Sequence, residues 1–131
     1  MSSNNIKISN CYCRGTVSGS QVNVAGILAM PNGSNNTIEN CYFCGNITSS
    51  PNMGSIVGWI GAPCRPITFT NLYSTSSLGT YGAKDGSSSV SGSANVGVAL
   101  NTLKTYASNL GSAFKTDSNN INEGYPILSW Q

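Results

Sequence analysis

The sequence predicts an all-β protein: a right-handed parallel β-solenoid, β-helix-like, of about three coils, closed by a C-terminal cap of one helix and one strand. Three observations lead there. The phrase KISNCYCRGTV at residues 7–17 returns as TIENCYFCGNI at 37–47 and, more faintly, as ITFTNLYSTSSLG at 67–79. A Gly-rich apolar run follows each of the first two, VAGILAM at 24–30 and MGSIVGWIG at 53–61. Before residue 98 no apolar stripe of helical period persists, and Gly, Asn, Ser and β-branched residues dominate. A phrase that recurs at fixed spacing is one structural unit being stacked, because a unit of this size cannot bury its own apolar face.

The coils are expected over about 6–36, 37–66 and 67–97, with the cap over 98–131. Within the first, IKIS, YCRGTVS and VAGILAM read as short strands separated by turn residues. Stacking in parallel register, ~4.8 Å apart, sets equivalent residues into ladders. Ile8, Ile38 and Phe69 form one apolar ladder. Cys11, Cys41 and Leu72 form a second, since a free cysteine behaves as a small hydrophobe. Asn10, Asn40 and Asn71 are expected to make an inward asparagine ladder at a bend, their amides pairing with one another and with turn backbone. Gly15 and Gly45 suit a corner that requires positive φ. Tyr12, Tyr42 and Tyr73 alternate to the other face as an exposed or groove-lining aromatic column.

These residues resemble a known family. ISNCYCRGTVSG with VAGILA, and IENCYFCGNITSS with MGSIVGWIG, are similar to the GLUG repeats of bacterial surface proteins and adhesins, over about residues 6–80. The third copy departs from the pattern by losing its cysteine. The resemblance implies an extracellular β-solenoid module within a longer surface protein, and it implies no catalytic activity.

Residues 82–97, GAKDGSSSVSGSANVG, read as a loop or weak last coil. Leu100, Leu103, Ala107, Leu110 and Phe114 then fall at helical spacing, with Asn101 placed as N-cap and Gly111 just past the end. YPILSW after Gly124 reads as a final strand. This cap is expected to cover the open edge of the last coil. No comparable cap precedes Ile6.

At 131 residues the chain has the length of one domain. Charged residues make up 8%, against ~25% in ordinary soluble domains, so Ser, Thr, Asn and Gly must cover the surface. The net charge of +2 is scattered over Lys7, Arg14, Arg65, Lys84, Lys104 and Lys115, which makes no phosphate-binding stripe and argues against nucleic acid. No apolar run approaches the ~20 residues of a membrane span. MSSNNIK lacks the apolar core of a signal peptide. The chain is thus expected either to be part of a longer exported protein or to be made in the cytosol.

Candidate chemistry is sparse. Cys11-x-Cys13 and Cys41-x-x-Cys44 have a superficial zinc spacing, but the repeat already accounts for Cys11 and Cys41, and a metal site needs converging thiolates. They read as structural thiols or disulfides. Equivalent positions one coil apart can meet the separation a disulfide needs, so Cys11 and Cys41 could bridge in an oxidising compartment, whereas Cys64, beside prolines, is expected to stand alone. In DSNNINEG at 117–124, Asp117, Asn119 and Glu123 offer oxygen ligands, yet Ile121 and Gly124 break the calcium-loop pattern and turn chemistry is the better reading. There is no histidine, and Glu39, Asp85, Asp117 and Glu123 are the only carboxylates, so no catalytic residue, cofactor or metal is expected. Three functions follow in order. The first is a structural or adhesive module stacking end-to-end on itself or on adjacent repeats through its uncapped N-terminal coil, covalently or as a filament. The second is a glycan- or host-surface-binding module that uses Tyr12, Tyr42, Tyr73 and Trp59. The third, a glycosidase or lyase remnant, lacks the paired acids it needs.

Overall fold

A computed structural model describes residues 5–20, 22–31, 33–48, 51–62 and 66–131. Cys64 and Arg65 lie outside the described residues. Of the described residues 45% are in strands and 7% in helices, which makes the protein all-β. The main sheet is built from β1 (Lys7–Ser18), β3 (Asn36–Thr48), β6 (Ile67–Ser74) and the short β8 (Val90–Ser91) and β9 (Ala94–Asn95). Its order is β1-β3-β6-β8, with β9 also on β6, and every pairing is parallel. Two smaller parallel pairs join β2 (Val24–Ala25) to β4 (Met53–Gly54) and β5 (Val57–Ile60) to β7 (Tyr81–Lys84).

Register follows the sequence repeat residue for residue. Ile8 pairs with Ile38 and Ile38 with Phe69; Cys11 with Cys41 and Cys41 with Leu72; Tyr12 with Tyr42 and Tyr42 with Tyr73. Asn10, Asn40 and Asn71 interrupt each long strand with φ of 55°, 52° and 51°. Asparagine tolerates this left-handed conformation better than other residues with a Cβ. The bend resets the strand's alternation. Ile8 and Cys11, three residues apart, both pack on the same core, where an unbroken strand would turn them to opposite faces.

That core lies between the main sheet and the β2, β4, β5 and β7 strands. Ile38, Cys41, Ile56, Val57, Ile60, Ile67, Phe69 and Leu72 fill it. Gly45 is needed for a different reason from Gly15. Gly15 has φ of 116°, whereas a Cβ on Gly45 would overlap the Gly15 carbonyl oxygen of the copy beneath. The positive-φ corner expected of both therefore holds for Gly15, while Gly45 permits close backbone approach.

The C-terminal segment differs from its expectation in two ways. The single helix is broken into α1 (Leu100–Leu103) and α2 (Ala107–Leu110), and Phe114 belongs to a strand, β10 (Phe114–Lys115), antiparallel to β11 (Ile127–Leu128). Ala99, not Asn101, is the residue before the first turn. The break falls where Tyr106 leaves helical geometry and sets its ring edge-on to Tyr73, with centroids 4.8 Å apart. The segment also does not sit only on the last copy. Its Leu103, Leu110, Phe114 and Tyr125 form a second core with Tyr42, Cys44 and Tyr73, against which Tyr12 packs. The main sheet is thus covered on both faces, as parallel sheets usually are.

Candidate interaction surface

Among the described residues β1 pairs with β3 alone and is the outer strand of the main sheet. The same phrase is buried to different depths in the two copies. In β3, Ile38 is 1% exposed and Cys41, Tyr42 and Phe43 are 0% exposed. In β1 the equivalent Ile8, Cys11, Tyr12 and Cys13 are all half-buried. An apolar ladder one copy long therefore reaches solvent beside a twelve-residue strand edge.

The asparagine ladder flanks this edge. Asn71 Nδ2 donates to Asn40 Oδ1 at 3.0 Å, and Asn40 Nδ2 donates to Asn10 Oδ1 at 3.2 Å. The ladder faces solvent, with Asn10 and Asn71 exposed, so the inward placement is corrected. The left-handed bend is the cause, because it turns the residues on either side inward and the asparagine outward. Asn71 and Asn40 each pass a donor toward the first copy.

The aromatic column is also corrected. Tyr12 and Tyr42 do stack, with ring centroids 5.1 Å apart and planes 4° from parallel. Tyr42 and Tyr73, however, are buried under the C-terminal segment, and Trp59 belongs to a different sheet, on β5. The four expected ligand-facing aromatics share no exposed face. Leu103, Leu110, Phe114 and Tyr125 bury Tyr42 and Tyr73 and leave Tyr12 half-buried. The Tyr42 hydroxyl donates to the Pro126 carbonyl at 2.7 Å and accepts from Asn122 Nδ2 at 2.9 Å. Burial pushes this phenol well above its ordinary pKa, with the Asn122 bond pulling the other way.

Several residues that fasten the segment carry no sequence signal of their own. Arg14 donates to Asn122 Oδ1 at 2.8 Å and pairs with Glu123 at 2.6 Å, and its guanidinium lies 4.7 Å from the Tyr125 ring centroid. Lys104 approaches the same ring at 5.0 Å. Tyr12 donates to Gln131 Oε1 at 3.2 Å. Arg14 was legible only as one scattered cation.

Asp117 folds the turn between β10 and β11. Its carboxylate accepts the backbone N–H groups of Ile121, Asn122 and Gly124 at 2.9, 2.7 and 2.9 Å. Burial raises its pKa, but these three donors more than offset that and hold it below the ordinary value. Its oxygens are thus engaged in turn chemistry. Asn119 and Glu123 do not join it, and Glu123 turns to Arg14.

At the far end of the sheet from β1, a groove of about 660 Å³ opens between β7 and β8, lined by Thr80, Tyr81, Lys84, Ser88 and Ser89 among others. None of Tyr12, Tyr42, Tyr73 or Trp59 lines it. Among the described residues no helix is long and apolar enough to cross a membrane. Comparison of the chain with protein-family models, curated proteins and solved structures finds no match.

Proposed function

We propose that the chain is a right-handed parallel β-solenoid of about three coils with its C-terminal cap laid along one side. In this reading it is a non-enzymatic structural or adhesive module of an extracellular surface protein. It stacks end-to-end through β1 on a further coil, whether of the same chain or of a neighbour. The observation that carries this reading is the contrast between β1 and β3: one phrase, in one register, fully buried where a copy lies on both sides and half-buried where a copy lies on one. A strand edge with no partner among the described residues, beside an apolar ladder, is a template for another strand, and a head-to-tail contact of this kind does not close, so it extends. The resemblance of the Asn-Cys-Tyr phrase to GLUG repeats supports the surface-protein setting. The absence of histidine and the presence of only four carboxylates support a non-catalytic role.

A glycan-binding role through the tyrosine column has less behind it, because Tyr42 and Tyr73 are covered by the chain's own C-terminal residues. Light scattering across a concentration series tests the stacking. The expected result is a mass that rises with concentration and a variant, Ile8→Lys, that stays monomeric with an unchanged circular dichroism spectrum. A monomer at every concentration, with the amides of residues 5–13 strongly protected from hydrogen exchange, would overturn the proposal.

A further inference from the structure

Cys11 and Cys41 sit directly opposite each other on β1 and β3, and their sulfurs are 3.3 Å apart as free thiols. In-register parallel neighbours lie ~4.8 Å apart, inside the Cα separation of ~4.4–6.8 Å that a disulfide spans. The other described thiols are placed differently: Cys13 pairs with Phe43, and Cys44 pairs with Arg14 and packs in the second core. We propose that Cys11 and Cys41 are a redox-active pair, oxidised to a disulfide that ties the edge strand to the second copy, with Cys11 as the attacking and Cys41 as the resolving thiol.

The two members are unequal, which gives the order of events. Cys41 is 0% exposed and Cys11 is half-buried, so while no further coil covers β1 an oxidant reaches Cys11 first. The Cys41 thiol proton has two acceptors, the Glu39 carbonyl at 3.0 Å and the Cys11 sulfur. When Cys11 ionises, that proton turns to it. This hydrogen bond outweighs partial burial and lowers the Cys11 pKa to about 7, while the same bond and burial push Cys41 up. A thiolate is the nucleophile in exchange, and access selects among thiolates.

With oxidised glutathione as the oxidant, the Cys11 thiolate attacks one glutathione sulfur. The glutathione S–S bond breaks, one glutathione thiolate leaves, and a Cys11–glutathione disulfide forms. Cys41 gives its proton to the departing thiolate and attacks the Cys11 sulfur, and the second glutathione leaves as a thiolate that solvent protonates. Two electrons pass from the protein thiols to glutathione disulfide, which ends as two thiols.

The experiment treats the full chain with oxidised glutathione, blocks the remaining thiols, and maps bridges by proteolysis and mass spectrometry. The expected result is the loss of two hydrogens per chain, with a single bridge between Cys11 and Cys41. Cys13→Ser should form the same bridge. Cys41→Ala, with its circular dichroism unchanged, should stop at glutathione on Cys11. In urea, where register is lost, the Cys11–Cys41 preference should disappear. A bridge from Cys11 to Cys13, from Cys13 to Cys44, or from any of these to Cys64 would overturn the proposal. So would survival of all five thiols while dithiothreitol in the same buffer is oxidised.

Discussion

The first and second copies of the repeat share Ile, Asn, Cys, Tyr and Gly at equivalent positions of paired strands, yet the structure uses them differently. Tyr12 and Tyr42 are stacked ring on ring, but Tyr42 lies between Tyr12 and Tyr73 in the register and beneath Phe114, while Tyr12 has Tyr42 on one side and is half-buried. Ile8 and Ile38 stand in the same relation. The contribution of a residue in a repeat therefore depends on how many copies flank it, which local sequence does not record.

Paired substitutions sharpen this contrast. Tyr42→Ala removes a fully buried ring and leaves Asn122 without its hydroxyl partner, so urea unfolding should show a loss of ~3–5 kcal/mol. Tyr12→Ala, which gives up one stacking contact and partial burial, should cost ~1 kcal/mol. Equal losses would break the comparison and mean that β1 is as covered as β3.

The bend residues test a second difference, between faces rather than copies. Asn40→Ala forces a Cβ residue without a compensating polar side chain into the left-handed conformation and breaks two ladder bonds, with an expected cost of ~1–2 kcal/mol. Asn40→Gly loses the same bonds without the backbone strain and should cost less. Equal losses in the two variants would mean that the amide ladder, which both lose, rather than the bend is the dominant contribution.

Acid should separate the C-terminal segment from the stack. The folded pKa of Asp117 lies below its unfolded value, so its contribution is present in full above the unfolded pKa and is lost as pH falls through the folded one. Protection factors for hydrogen exchange at Ile121, Asn122 and Gly124, which remove the intrinsic slowing of exchange in acid, should fall below the ordinary carboxylate range before those in β3 do. A simultaneous fall in both would show that the two regions do not respond separately. The smallest effect is one of rate. Alkylation of Cys11 by iodoacetamide should reach half its plateau near pH 7, while Cys13, whose pKa is raised by burial and by the Cys11 charge, should react only at higher pH.

Register was legible in the sequence because stacking requires equivalent residues at one spacing, and the 10, 40, 71 series of asparagines supplies it. The direction of the asparagines was not legible. Simple alternation places Ile8, Asn10 and Tyr12 on one face, and only the left-handed φ, a property of backbone shape, sends Asn10 outward and Cys11 inward. The fate of the tyrosines was hidden for another reason: their cover comes from residues some thirty to more than a hundred positions away, such as Tyr106 against Tyr73 and Gln131 against Tyr12. The apolar spacing from Leu100 to Phe114 suits a helix, but packing of Tyr106 on the third copy prevails over it, as tertiary contacts often override local propensity.

The path of residues 98–131 also bears on how the molecule comes apart. An array whose units touch only their neighbours frays from its ends, one unit at a time. Here Tyr106 rests on β6, Phe114 and Pro126 on Tyr42 of β3, and Gln131 with Glu123 on β1. The tail runs back along the stack and fastens last copy to first, much as a spine binds separate leaves. Peeling any copy away must disturb a contact that the others share, which converts a sequence of small melting steps into a single all-or-none transition.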